Sequence, residues 1–192
     1  MQQPSCTFSG RVDKSAVFCR NAFFGFMKDF NMQQGLYLIA PAGTDENELI
    51  ERFNRFCAGE IPDALLFDPT DRSVESVRRF AQTVQGKNVA LILKNDIDLA
   101  LELPADGVQI PYQPDIKKIR QRTTEISLGV LCATRDEAMR AGEAGADYIG
   151  FDASNAAELT QWWSELFTVP CVNFNPDRPS PAADFRTAVL AG

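Results

Sequence analysis

The chain has no histidine. That absence removes Ser-His-Asp triads, Cys-His dyads, imidazole acid-base catalysis and every zinc site that needs an imidazole. Chemistry here must fall to carboxylates, lysine, arginine, cysteine, tyrosine, amides or a bound metal. Cysteine is sparse: Cys6, Cys19, Cys57, Cys132 and Cys171 are odd in number, widely spread and form no CxxC, the usage of reduced thiols in a cytosolic protein. Cations are outnumbered, 19 Lys and Arg against 26 Asp and Glu, for a net charge of -7. A general basic surface for DNA or RNA is therefore missing, and only a local cationic pocket stays open. The apolar stretch 16–27 is broken by Arg20 and Asn21, is too short to span a bilayer and is followed by no small-residue cleavage site. The expectation is a cytoplasmic protein with neither a nucleic-acid nor a membrane partner.

What is present suffices for one packed domain: 192 residues, 45% hydrophobic and 23% charged. A leader, 1–34, is expected to be partly helical, and its Phe18, Phe23, Phe24 and Phe26 read as core or interface residues. A single domain over 35–192 follows. Its first strand is Leu36 to Ala40, a short apolar run between Gly35 and Pro41. Thr44 or Asp45 then caps a helix with Leu49, Ile50, Phe53, Phe56 and Cys57 at helical spacing. The alternation repeats: strands at 64–67, 89–93, 107–110, 126–131, 148–151 and 169–174, with a helix after each and a last one from about Ala182. About seven strand-helix units with short loops specify a parallel sheet with right-handed crossovers, either a barrel or an open doubly wound sheet.

Two stretches echo one another: Leu103 to Ile110 and Ala144 to Phe151 share a helix end, Ala-Asp, then a strand. The echo favours a barrel of repeated units, although Ala-Asp also serves as a plain helix-to-strand connection in any α/β protein.

The run Lys94-Asn95-Asp96-Ile97-Asp98-Leu99-Ala100-Leu101, followed by Ala105-Asp106-Gly107-Val108, Leu128-Gly129-Val130 and Ala146-Asp147-Tyr148-Ile149-Gly150-Phe151, resembles the thiamine phosphate synthase family in order and spacing. The resemblance covers the chain from about Leu36 to its end. It implies an α/β fold of the (β/α) TIM-barrel type with its site at the C-terminal strand ends. It also implies the joining of a pyrimidine methyl pyrophosphate to a thiazole phosphate, with Mg²⁺ assisting departure of pyrophosphate. By that resemblance Asp96 stands for the first magnesium carboxylate, Asp115, about one residue late, for the second, and Lys94, Asn95 and Gln109 line a site for a small phosphorylated molecule.

Departures from the family pattern are as informative. The family's strand-two cations, which grip pyrophosphate, are replaced by Ala64-Leu65-Leu66-Phe67-Asp68-Pro69; Gln109 and Ala133 stand for family histidines; and Asn173-Phe174-Asn175-Pro176 replaces a Gly-Gly phosphate loop. Three readings stay open: a divergent member with the reaction weakened or lost, an active synthase whose cations come from Arg72, Lys94 or Arg178, and a non-catalytic binding or scaffold barrel. The related thiazole tautomerases are disfavoured because they rely on a histidine. Residue by residue, Asp96 reads equally as a helix cap and as a ligand, Lys94 as a surface lysine or a phosphate contact, and Cys132 as a buried small hydrophobe.

The chain's last residues, Ala188 to Gly192, read as a helix end with no strand after it, so the eighth strand is expected to be missing. A gap between strands one and seven would then be covered by the leader, by a second subunit in a homodimer, or by residues beyond Gly192.

Overall fold

The computed structural model describes residues 34–103, 105–175 and 177–191. The leader, except for Gln34, and every reading placed on it lie outside these residues. Strands β1 (Gly35–Ile39), β2 (Ala64–Phe67), β3 (Ala90–Lys94), β4 (Gly107–Pro111), β5 (Ser127–Leu131), β6 (Tyr148–Phe151), β7 (Cys171–Asn173) and β8 (Phe185–Val189) pair in chain order, all parallel, as a closed barrel. Helices α1 (Glu46–Cys57), α2 (Val74–Gln85), α3 (Ile97–Glu102), α4 (Ile116–Arg122), α5 (Arg135–Glu143) and α6 (Ala156–Leu166) each follow one of the first six strands.

Strand alternation divides the apolar side chains into two cores. Leu38, Leu65, Leu91, Val108, Leu128, Ile149 and Cys171 point outward beneath helix residues such as Phe53, Phe80 and Trp163. Tyr37, Ala64, Leu66, Ile92, Tyr148, Val172 and Phe185 point inward and fill the lumen. Both strand faces are therefore buried, which is why these strands read as continuous apolar runs. Full burial of such a side chain contributes about 1.5–3 kcal/mol. The helix starts follow the expected chemistry: the Asp45 side chain accepts from the Asn47 and Glu48 amides, Ser73 from Ser76, Asp96 from Leu99 and Thr134 from Glu137. Each cap contributes about 1 kcal/mol.

The missing eighth strand is corrected by the structure. β8 occupies the place where a gap was expected, matching β1 from Gly35↔Phe185 to Ile39↔Val189 and joining β7 at Val172↔Phe185. Among the described residues the helix is what is absent: 174, 175 and 177–184 hold none. Pro179 and Pro181 keep the connection itself from continuing as a helix, and the helix expected from about Ala182 is replaced by the approach to β8. Phe185-Arg186-Thr187-Ala188-Val189 follows, with the aromatic and β-branched side chains of a strand.

The Ala-Asp echo is one half of a fourfold device. Asp63, Asp106, Asp147 and Asp184 each stand just before an even-numbered strand, and their Oδ2 atoms accept from the amides of Leu36, Leu91, Leu128 and Cys171 at 2.8, 2.9, 2.8 and 2.8 Å. Each aspartate's own N–H returns to the carbonyl of that same residue, at 3.0, 2.9, 2.8 and 3.0 Å. One carboxylate thus clamps the start of every strand pair at the N-terminal end of the barrel, the end associated with stability. Asp106 also accepts from Gln85 and Asp147 from Arg120. Burial lifts the Asp147 carboxyl above its ordinary range, opposed by the Leu128 amide and Arg120.

Candidate active site at the barrel mouth

At the opposite end, inward positions of the strands converge on the mouth of the lumen. Asp68 follows β2 in the same alternation as Ala64 and Leu66, and Lys94 ends β3 in the alternation of Ile92, so both side chains point to the mouth. There Lys94 Nζ lies 3.2 Å from Asp68 Oδ2. Burial alone would raise the Asp68 carboxyl, but hydrogen bonds from Thr70 and Lys94 outweigh it and hold the group below its usual range. The mouth therefore carries a permanent carboxylate beside its lysine.

Backbone pairing brings three expected site residues together. Lys94 and Gln109 are register partners on β3 and β4, and the Asn95 amide donates to the Gln109 carbonyl at 2.8 Å. Asn95 is exposed, with a φ of 63° that asparagine tolerates better than most residues. The Gln109 side chain turns into the lumen, where its Oε1 accepts from the Tyr148 hydroxyl at 3.0 Å. Tyr148 in turn meets the Tyr37 hydroxyl at 2.7 Å. Sequence reasoning missed this polar chain, because each tyrosine sits in an apolar strand and their meeting is set by barrel register.

Asp96 caps α3, its Oδ1 accepting from Leu99 at 2.9 Å, while Asp115 is exposed at the start of α4 and makes no capping bond. The two loops follow neighbouring strands. Among the described residues no three His, Cys, Asp or Glu side chains form a metal-holding cluster. Mg²⁺ is commonly held by one or two carboxylates together with substrate phosphates, and Asp96 and Asp115 supply carboxylate oxygens of that kind on the loops after β3 and β4.

After β7 the connection is held by side-chain contacts. Asn173 donates to the Arg178 carbonyl at 2.7 Å and accepts from the Asn175 amide at 2.9 Å, and Thr187 donates to the Asn173 carbonyl at 3.0 Å. The Phe174 ring meets Tyr37 edge-on at 5.3 Å and rests against Gly150, where a Cβ would stand 2.7 Å from it. The other candidate cations lie elsewhere: Arg72 bonds the Thr44 carbonyl and stacks on Phe67, and exposed Arg178 bonds the Ser154 carbonyl at 3.3 Å. Burial, with Glu137 adding, pushes the Cys132 thiol up to about 12, so it is no nucleophile.

A family model described as thiamine monophosphate synthase matches residues 36–172. The chain is also 37% identical over 190 residues to a thiamine-phosphate synthase from Erythrobacter litoralis, covering 86% of this chain and 89% of that one. The chain belongs to the thiamine phosphate synthase family. A second thiamine-phosphate synthase, from Rhodospirillum centenum, is 31% identical over 71% of this chain and 75% of its own length. The solved thiamine phosphate pyrophosphorylase of Pyrococcus furiosus superposes with a TM-score of 0.65, covering 82% of this chain and 86% of that one at 18% identity, so it has the same fold. Among the described residues no helix is long and apolar enough to cross a membrane. In this thiamine phosphate synthase family barrel, the Asp68–Lys94 pair stands at the C-terminal ends of β2 and β3.

Proposed function

We propose that this chain binds thiamine phosphate synthase substrates at the barrel mouth, with the joining of hydroxymethylpyrimidine pyrophosphate to thiazole phosphate slowed by orders of magnitude or lost. The Asp68–Lys94 pair carries this reading. Charge that develops on departing pyrophosphate must be met by fixed donors, each contributing a few kcal/mol. Here the strand-two end supplies a carboxylate, which neutralises the nearest lysine and repels an incoming anion. Phe174 supports the same reading by presenting an aromatic ring where glycine amides would cradle phosphate. Mg²⁺, when bound, would offset charge on the leaving pyrophosphate. Asp96 would hold it, with Asp115 from the adjacent loop, and Asn95 would line the same corner. Asp96→Asn keeps the capping oxygen but removes the charge. It should abolish any thermal stabilisation by Mg²⁺ with pyrophosphate while leaving the unliganded melting temperature nearly unchanged.

A coupled assay for thiamine phosphate, with both substrates and Mg²⁺, tests the main proposal, and family-level turnover by the parent chain would overturn it. A second reading follows from the same geometry, because a ligand phosphate could replace Asp68 as the partner of Lys94. Asp68→Asn then separates the two. Pyrophosphate affinity should rise about tenfold as a like charge leaves the mouth, and Lys94→Ala should cancel the gain. Turnover restored to family level by Asp68→Asn would make Lys94 a relocated phosphate-binding cation.

A further inference from the structure

The Tyr37–Tyr148–Gln109 chain fixes more than packing. A glutamine amide has one acceptor oxygen and one two-proton donor, and a single bond at its oxygen determines where the donor goes. The Tyr148 hydroxyl directs its one proton to Gln109 Oε1, and with that proton used, the bond between the two hydroxyls has Tyr37 as its donor. Both tyrosines are fully buried. Burial also holds both hydroxyls protonated, since it raises each well above the ordinary tyrosine range, Tyr37 with help from Tyr148.

Nε2 of Gln109 makes no hydrogen bond within the described residues, yet no buried side-chain nitrogen or oxygen among them lacks a partner. The atom therefore touches water-accessible space, and the residue's 4% exposure agrees. Gln109 is the register partner of Lys94 and lies one inward position below Pro111, at the floor of the mouth.

We propose that Tyr148, supported by Tyr37, is a positioning residue. It locks the Gln109 amide in one orientation, so that the –NH₂ group is a fixed donor on the floor of the mouth. The site thereby selects a ligand with a hydrogen-bond acceptor at that depth, such as a ring nitrogen, a carbonyl or a phosphoryl oxygen. It disfavours one that presents a donor there, because two opposed N–H groups leave a polar group unpaired. This rests on the proposal that the mouth is the ligand site, and its test separates the two.

Binding of thiamine phosphate and of thiamine is measured by calorimetry for the parent and for Gln109→Ala, Tyr148→Phe, the double variant and Lys94→Ala, with melting temperatures taken in parallel. Gln109→Ala should weaken both ligands about fivefold to tenfold, the worth of one net hydrogen bond. Tyr148→Phe should weaken them by a similar factor, and the double variant no further than Gln109→Ala alone, since Tyr148 acts only through the amide. A merely structural role would instead give losses that multiply. Multiplying losses, or unchanged affinity in Tyr148→Phe, would overturn the positioning role. Should Lys94→Ala weaken thiamine phosphate but not thiamine while Tyr148→Phe changes neither, the mouth reading stands and this inference falls. Failure of the parent to bind either ligand would sink both. In case Tyr148→Phe unfolds, Tyr37→Phe removes only the outer member of the chain and should give a smaller loss in the same direction. Unchanged affinity there, in a folded protein, also counts against the proposal.

Discussion

Gly129→Ala is expected to destabilise the barrel by about 3 kcal/mol or more, the upper end of what overpacking a core costs. A Cβ at this position would stand 2.0 Å from Tyr148 Cζ, 2.3 Å from its hydroxyl oxygen and 2.5 Å from Cε1. Separations below 3.0 Å do not occur for real Cβ atoms, so something must move. Tyr148 cannot move cheaply. Its ring fills the lumen beside Tyr37, and its hydroxyl is engaged by both Tyr37 and Gln109. The backbone of β5 is held on both sides, by β4 from Gly107↔Ser127 to Pro111↔Leu131 and by β6 from Gly129↔Tyr148 to Leu131↔Gly150. Urea unfolding should therefore show a sharply lower midpoint, and Tyr148→Ala in the same chain should recover part of the loss by emptying the space that the new methyl needs. A midpoint equal to the parent's would refute this account of the lumen.

The same residue shows what a sequence can and cannot disclose. That Leu128-Gly129-Val130 belongs to a buried strand is readable from its apolar character and its neighbours. That the glycine makes room for an aromatic ring from the next strand is not, because the partner is set by barrel register. The six described helices and the first seven strands are legible for the same local reasons: apolar runs at strand length, caps at Asp45 and Asp96, and apolar faces at helical spacing. The last unit was misread for a physical reason. A rule that expects a helix between successive parallel strands puts one from about Ala182, and then has no residues left for a strand, whereas Phe185–Val189 pairs as β8. Ala183-Asp184-Phe185 was a further instance of the echo already noticed, standing directly before β8.

The candidate site was legible only in part. Lys94, Asn95, Asp96 and Gln109 stand out through the family resemblance, which places them at the ends of β3 and β4. Their partners were not legible: Asp68 looked only like a missing cation, and the tyrosines looked like core. Pairings across 26 residues, from Asp68 to Lys94, or across 111, from Tyr37 to Tyr148, are properties of closure rather than of local pattern. The charge balance of the mouth therefore could be inferred from the sequence only as an absence, whereas the structure gives it as a specific ion pair.

Closure itself depends on few contacts at one seam, which makes Asp184→Ala the second substitution expected to have a large effect. β8 is matched to β1 over five positions but to β7 at only one, Val172↔Phe185. Asp184 compensates for that short seam. Its N–H donates to the Cys171 carbonyl, its Oδ2 accepts from the Cys171 amide at 2.8 Å, and its own carbonyl accepts from Gly35, so one residue ties β7, β8 and β1. Removing the side chain deletes a bond to a charged acceptor, with an expected loss of about 1.5–3 kcal/mol. Asp184→Asn keeps an acceptor oxygen without the charge and should lose about half as much. Location of the loss distinguishes this from general destabilisation: amides of β8 and of its β1 partners should exchange with solvent faster than those of β3 to β5. In Asp106→Ala, which breaks the equivalent clamp where β3 and β4 share three register pairs, exchange at the β7–β8 seam should be no faster than elsewhere. Uniform acceleration across the barrel in Asp184→Ala, or none at β8, would show that the carboxylate is not what holds the last strand in place.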